Sequence, residues 1–163
     1  MFGLMLALGV GGALIAWAAN LYASPERAPA VTFNTIDGER IRTTELLGKV
    51  VYVSFWSTSC VSCLAEMPML TKTHERYARR GYETMAVAMS YDRADYVMQY
   101  ARSRQLPFKV VLDLSEQVAT AFEQTTQTPT GFLIDRKGRI VRRFVGTPES
   151  QDLEAAIETA LRS

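Results

Sequence analysis

The chain has 163 residues, of which 48% are hydrophobic, and a formal net charge of +1. The length fits one folded domain with an appendage. The near-neutral charge excludes the basic footprint of nucleic-acid-binding proteins, so we expect no nucleic-acid partner.

The N-terminal segment is apolar and carries no charged side chain before Glu26. The run from Phe2 to Leu21 has about the 20 residues that cross a bilayer as a helix. We therefore predict a transmembrane anchor over residues 1–23. A cleaved signal peptide is the alternative, although the run is long for one and no Lys or Arg precedes it.

Two prolines and two charges make residues 24–30 a predicted exposed linker, which leaves residues 31–163 as the folded domain. In that domain a hairpin is predicted around Asp37-Gly38, and the apolar run Val50 to Trp56 predicts a buried central strand. The further predicted elements are helix 60–80, strand 82–90, helix 94–105, strand 108–112, helix 115–122 capped by Ser115, strands 131–135 and 139–145, and helix 149–161. This order favours an α/β fold with a partly parallel sheet, helices on both faces and an antiparallel edge.

Cys60 and Cys63 are the only cysteines, and they lie between the predicted central strand and the helix that follows it. A helix N-terminus stabilises a thiolate through its partial positive charge and free N–H groups. The Cys-x-x-Cys spacing lets one sulfur attack a substrate disulfide and the other resolve the mixed disulfide. The pair therefore predicts redox chemistry, with Cys60 as nucleophile, Cys63 as resolving residue and no bound cofactor.

Other roles for the two cysteines are open. A structural disulfide is disfavoured because so short a loop gains little stability. A structural zinc needs four ligands, and the single histidine, His74, is too far along the helix, so we expect no metal site. Binding of Cu(I) is a further alternative, because Met67 and Met69 would suit that soft ion.

Glu66 lies one helical turn beyond Cys63 and on the same face as both cysteines. A carboxylate there is predicted to move protons to and from the Cys63 thiol. The alternative is an ordinary solvated helix glutamate.

The motifs resemble the thioredoxin fold and, within it, the membrane-anchored TlpA/ResA family, over roughly residues 31–161. Phe55-Trp56 precedes the Cys pair at the family's spacing, Glu66-Met67-Pro68 completes a Cys-x-x-Glu-x-Pro pattern, and Thr128-Pro129-Thr130-Gly131-Phe132-Leu133-Ile134-Asp135 matches the Thr-Pro-Thr-x-Phe-Leu-Ile-Asp segment. The helix and strand between residues 94 and 112 match the family's insert.

The resemblance implies a thioredoxin-like domain, with a central mixed sheet flanked by helices, that acts as a thiol–disulfide oxidoreductase. It implies a cis Pro129 beside the dithiol and a backbone at Thr128 that pairs with an extended substrate. Trp56 and Ser59 complete the predicted substrate-binding set. The expected activity is reduction of disulfide-containing client proteins, with electrons from a membrane donor of the DsbD/CcdA kind and cytochrome c maturation as one client pathway.

Three departures from the family pattern concern the redox potential. Ser59 stands where the family usually has Trp, Ser54 stands where it often has Asn, and the dipeptide between the cysteines is Val61-Ser62. The surroundings of a dithiol tune its potential, so the potential cannot be carried over.

We expect a single-pass protein of the bacterial inner membrane with its domain in the periplasm, because a tethered dithiol suits a compartment where disulfides form. A peroxidase lacks support because the proline expected upstream of the reactive cysteine is missing. A non-catalytic binding module is disfavoured because both cysteines and the Thr128-Pro129 turn are intact.

Overall fold

The computed structural model of the protein describes residues 26–163. The predicted anchor, residues 1–23, lies outside the described residues. No helix within residues 26–163 is long and apolar enough to span a membrane.

The strands are β1 (Thr32–Asn34), β2 (Arg40–Arg42), β3 (Val50–Trp56), β4 (Tyr82–Ala88), β5 (Lys109–Leu112), β6 (Thr130–Ile134) and β7 (Ile140–Val145), and the helices are α1 (Val61–Tyr77), α2 (Ala94–Ser103), α3 (Gln117–Ala121) and α4 (Ser150–Leu161).

Five strands form the main sheet in the order β5-β4-β3-β6-β7. Strand β3 pairs in parallel with β4, and β4 with β5, whereas β6 is antiparallel to both β3 and β7. Every residue of β3 is buried, as its continuous apolar run predicts for a central strand. The predicted thioredoxin-like α/β fold with a mixed sheet is therefore confirmed.

Helices cover the two faces of this sheet and bury a hydrophobic cluster on each. Side chains of α1, α2 and α4 pack on one face. The other face is covered by α3 and by the β1–β2 hairpin, which inserts Phe33 into the core. The hairpin is fastened beside β5, because the Ile36 amide donates to the Val110 carbonyl at 2.9 Å.

The described part of the predicted linker is attached to the domain. The Ala28 amide donates to the Gly138 carbonyl, and the Ile140 amide donates to the Glu26 carbonyl at 2.7 Å. Residues 26–28, which belong to the predicted exposed linker, therefore run along the start of β7. The side-chain pattern gives no sign of this contact because it is made through the backbone.

The predicted cap of the third helix was wrong. The sequence predicts Ser115 as the capping residue, but the helix begins at Gln117 and its amides are held by Asp113. The Asp113 carboxylate accepts from the Val118 amide at 3.1 Å and from the Ala119 amide at 2.8 Å. The connection before the helix makes a tight turn with Glu116 in the left-handed region, and this turn brings Asp113 within reach of those amides.

Candidate active site

The two cysteines lie where β3 ends and α1 begins, at the carboxyl edge of the parallel strands. Their sulfur atoms are 2.13 Å apart and form a disulfide, and their Cα atoms are 5.2 Å apart. Cys60 is the N-cap of α1 and Cys63 lies in its first turn. The sheet and the helix together thus hold the pair at the edge where α/β proteins gather their active sites.

The two sulfur atoms differ in their access to solvent and in their contacts. Cys63 is 1% exposed, whereas Cys60 is partly exposed and the next residue, Val61, is 82% exposed. The Cys63 amide donates to the Cys60 sulfur at 3.2 Å, and the first turn of α1 has no acidic residue. This amide and the helix dipole would stabilise a thiolate on Cys60, which is also the more accessible of the two cysteines.

The loop before Cys60 is held by an interaction that the sequence analysis missed. The Asp92 carboxylate accepts from the Thr58 amide at 2.5 Å and from the Thr58 hydroxyl at 2.6 Å. Asp92 follows β4, and its 34-residue separation from Thr58 left no signal in the sequence. Hydrogen bonds to a charged group are stronger than those to a neutral one, so this contact fixes the loop that delivers Cys60.

Two serine hydroxyls complete the same loop. The Ser57 and Ser59 side-chain oxygens are 2.7 Å apart, and the Ser59 amide donates to the Ser57 hydroxyl at 3.1 Å. Ser57 is buried while Ser59 is exposed beside the disulfide. Ser59 is thus exposed at the surface before Cys60, while its hydroxyl also stabilises the turn.

Glu66 is buried on the inner face of α1 and is not the solvated glutamate of the alternative interpretation. It is 2% exposed, and neither carboxylate oxygen has a hydrogen-bond partner among the described residues. Burial raises the pKa of Glu66 from its usual 4.5 to about 7, because the ionised form loses its hydration. At neutral pH this carboxyl group can both hold and release a proton.

Two buried tyrosines lie within electrostatic range of Glu66. Burial and then the charge of Glu66 raise the pKa of Tyr52 well above its usual value. Burial also raises the pKa of Tyr82, whose hydroxyl accepts from Thr84. For Glu66 itself burial is the one cause, since its carboxylate oxygens have no hydrogen-bond partner in the described chain to replace water.

The second segment of the site is the turn before β6. The Thr128–Pro129 peptide bond is cis, as the family resemblance implies, and Thr128 is partly exposed. The Pro129 carbonyl accepts from the Gly146 amide at 2.8 Å, which ties this turn to the end of β7. Since β6 pairs with β3, the turn lies at the same sheet edge as the dithiol.

Trp56 lies behind the dithiol and does not reach the surface. Its side chain is fully buried, and its ring packs on Tyr100 with centroids 5.5 Å apart. Its indole nitrogen has no hydrogen-bond partner in the described chain. Trp56 therefore cannot touch a client directly, and any part that it has in substrate binding is through the packing of the loop in front of it.

Within residues 26–163 no group of three or more His, Cys, Asp or Glu side chains could hold an ion. Of the two methionines considered for Cu(I), Met67 is buried in the core, and the Met69 sulfur accepts from the Thr73 hydroxyl at 3.8 Å. Both methionine side chains are thus engaged in contacts within the domain.

Comparison with known proteins decides the family. A family model described as Redoxin matches residues 23–161. The chain belongs to the Redoxin family. Two relatives of this redoxin are the thiol-disulfide oxidoreductases ResA of Geobacillus thermodenitrificans, 31% identical over 81% of this chain and 75% of the relative, and of Bacillus subtilis, 32% identical over 74% and 66%.

Solved structures agree with this assignment. A candidate thioredoxin from Neisseria meningitidis is 36% identical to this redoxin, with a TM-score of 0.79 over 86% of this chain and 93% of that one. A thioredoxin-family thiol:disulfide interchange protein from Chlorobium tepidum is 27% identical, with a TM-score of 0.78 over 85% and 98%. The predicted TlpA/ResA resemblance is confirmed, and this redoxin is a thiol–disulfide oxidoreductase.

Proposed function

We propose that this redoxin is a membrane-tethered reductase of disulfides in extracytoplasmic client proteins. The observation that carries the proposal is the asymmetry of the dithiol, with an accessible Cys60 at a helix N-terminus and a buried Cys63 on the same helix face as a buried carboxyl group. Such a pair suits two successive exchange steps, in which the outer sulfur forms the bond to the client and the inner one breaks it.

The proposed reaction moves two electrons from the protein to the client, and the two leaving sulfur atoms of the client each take up one proton from water. The Cys60 thiolate attacks one sulfur of the client disulfide, and the other client sulfur leaves as a thiolate and takes up a proton. The Cys63 thiol gives its proton to the Glu66 carboxylate, and the resulting thiolate attacks Cys60. The client's second sulfur leaves and is protonated, while Cys60 and Cys63 end as the disulfide.

Glu66 suits the role of proton acceptor and donor for the buried thiol. General acid–base catalysis is most effective when the pKa of the group is close to the working pH, and that of Glu66 is about 7. Its position one turn from Cys63 follows from the helix geometry. The carboxyl group would then pass its proton on when the protein is reduced again.

The remaining parts of the proposal concern partners and place. The apolar run of residues 1–23 supports a single membrane anchor in the bacterial inner membrane, with the domain in the periplasm. Thr128 and Pro129 would align an extended client segment beside Cys60. A membrane electron donor of the DsbD/CcdA kind would restore the dithiol, and client proteins of cytochrome c maturation are one pathway that fits.

The experiment that tests the direction of electron flow is the reduction potential of the Cys60–Cys63 couple, measured by equilibration with dithiothreitol or glutathione. A value near or below about −270 mV, as for thioredoxin, supports a reductase, whereas a value near about −120 mV, as for DsbA, makes it an oxidant.

Trapping of mixed disulfides tests which cysteine attacks the client first. The Cys63→Ser variant should accumulate mixed disulfides with client proteins, and the Cys60→Ser variant should not.

A further inference from the structure

A pocket of about 270 Å³ lies where β4 ends, beside the end of β3, since the amide of its lining residue Met89 donates to the Trp56 carbonyl at 3.0 Å, and it has no role in the exchange steps above. Its walls come from the segment after β4, with Met89 and Tyr91, from the α3 region, with Glu116 and Ala119, and from the loop before the cis proline, with Gln124. Met89 and Ala119 are buried and form an apolar floor, while Tyr91 at the rim is 60% exposed.

The segments that line the pocket lead, along the chain, into the two segments that hold the dithiol. Tyr91 directly precedes Asp92, whose carboxylate binds Thr58 two residues before Cys60. On the other side, the loop that contains Gln124 runs on to the cis proline through Thr128. A client segment that lies across Cys60 and along Thr128 would therefore pass the mouth of this pocket.

The pocket carries one negative charge that no basic residue balances. The Ser90 hydroxyl donates to one Glu116 carboxylate oxygen at 2.6 Å, and the other oxygen has no hydrogen bond within residues 26–163. No lysine or arginine of the described chain lines the pocket. The neighbouring Glu123 is paired with Arg143 at 3.0 Å, so that arginine is engaged elsewhere.

The backbone around the pocket is held in unusual conformations. Of the four non-glycine residues with positive φ in the described chain, Glu116 and Gln124 line the pocket and Glu123 adjoins it. Left-handed backbone in such residues is costly and is concentrated at functional sites. Glu116 does not cap α3, since Asp113 does, so its side chain is left to face the pocket.

We propose that this pocket binds a lysine or arginine side chain of the client near the cysteine that is attacked. The aliphatic stem would lie on Met89 and Ala119, and the cation would reach the Glu116 carboxylate and the face of Tyr91. This inference rests on the proposed reductase function and adds a preference for clients with a basic residue close to the disulfide.

The test uses the reduced full-length protein in detergent and disulfide-bridged peptides that are identical except for the residues two to four places from each cysteine. Those residues are lysine, norleucine or glutamate. We measure the second-order rate constant for peptide reduction. The lysine peptide should react about three- to tenfold faster than the norleucine peptide, which is the size expected of an exposed ion pair with a cation–π contact.

Three variants test whether Glu116 causes the preference for the lysine peptide. Glu116→Gln should abolish it, Glu116→Arg should reverse it in favour of the glutamate peptide, and Glu26→Gln, at the opposite edge of the sheet, should leave it unchanged. Circular dichroism verifies that each variant is folded. Equal rates for all three peptides, or a lysine preference that survives Glu116→Gln, would overturn the inference while leaving the reductase function intact. Failure to reduce any peptide would instead overturn the proposed function and the inference with it.

Discussion

The buried Glu66 carboxyl group makes the stability of the oxidised domain depend on pH in a predictable way. The pKa of Glu66 is about 7 in the folded protein and 4.5 when the carboxyl group is not buried, as in the unfolded chain. Between those two values the folded protein holds a proton that the unfolded chain has released, so raising the pH favours unfolding. Below pH 4.5 both states are protonated, and above pH 7 both are ionised.

The size of the effect follows from the difference between these two pKa values. At 1.36 kcal/mol for each pH unit, the free energy of unfolding should fall by about 3 kcal/mol as the pH rises from about 4.5 to about 7. That is a large share of the 5–15 kcal/mol typical of a domain, as an order of magnitude. The loss should be absent from the Glu66→Gln variant, whose amide has the shape of the protonated acid.

The assay is urea unfolding of the oxidised fragment from Ser24 onward, at several pH values between 4 and 8. We compare the wild type with Glu66→Gln and with Glu75→Gln, a matched change at an exposed position of the same helix. Burial lowers the pKa of His74, and its titration raises stability with pH, but this contribution is common to the wild type and Glu66→Gln, because the charges that act on His74 are those of Glu83 and Glu75. The difference between wild type and Glu66→Gln therefore isolates Glu66.

The expected result is that Glu66→Gln becomes more stable than wild type as the pH rises, while Glu75→Gln, which keeps the buried carboxyl group, retains the loss of stability between about pH 4.5 and pH 7. If the difference between wild type and Glu66→Gln is the same at pH 4 and pH 8, the carboxyl group is not held protonated by burial. The argument for Glu66 as a proton acceptor at neutral pH would then lose its physical basis.

Three further changes and one control test the packing and hydrogen bonds of the domain by the same urea assay. Gly131→Ala should cost about 1–3 kcal/mol, because a Cβ there would overlap the Tyr52 hydroxyl oxygen. Asp113→Ala should cost about 1 kcal/mol through loss of the α3 cap, whereas Ser115→Ala should cost almost nothing. Asp92→Ala should cost about 1.5–3 kcal/mol, because it removes the charged acceptor of the loop before Cys60.

Each of these predictions would be contradicted by a particular result. A fully stable Gly131→Ala protein would mean that the Tyr52 ring moves aside without cost. Equal losses of stability for Asp113→Ala and Ser115→Ala would mean that Ser115 caps the helix as well as Asp113 does. An unchanged Asp92→Ala protein would mean that the loop is fixed by its serine hydroxyls alone.

The sequence by itself determined the fold class and the central chemistry, because these depend on local patterns. The apolar run of β3, the Cys60–Cys63 spacing and the helix that follows are contiguous in the chain. They specify a buried strand that leads into a helix N-terminus, which is the arrangement that activates a thiol. The Thr128-Pro129 motif was recognisable in the same way, although its contact with the end of β7 was not.

Tertiary structure alone decided which groups surround the dithiol and in what state. Glu66 is one turn from Cys63 in any helix, but only packing against the sheet removes it from water and raises its pKa. Asp92 and Glu116 lie 32 and 56 residues from Cys60 along the chain, and no local pattern connects them to it. They reach the site because adjacent strands end at one edge of the sheet, so their loops meet in space, and such long-range contacts are settled by the fold as a whole.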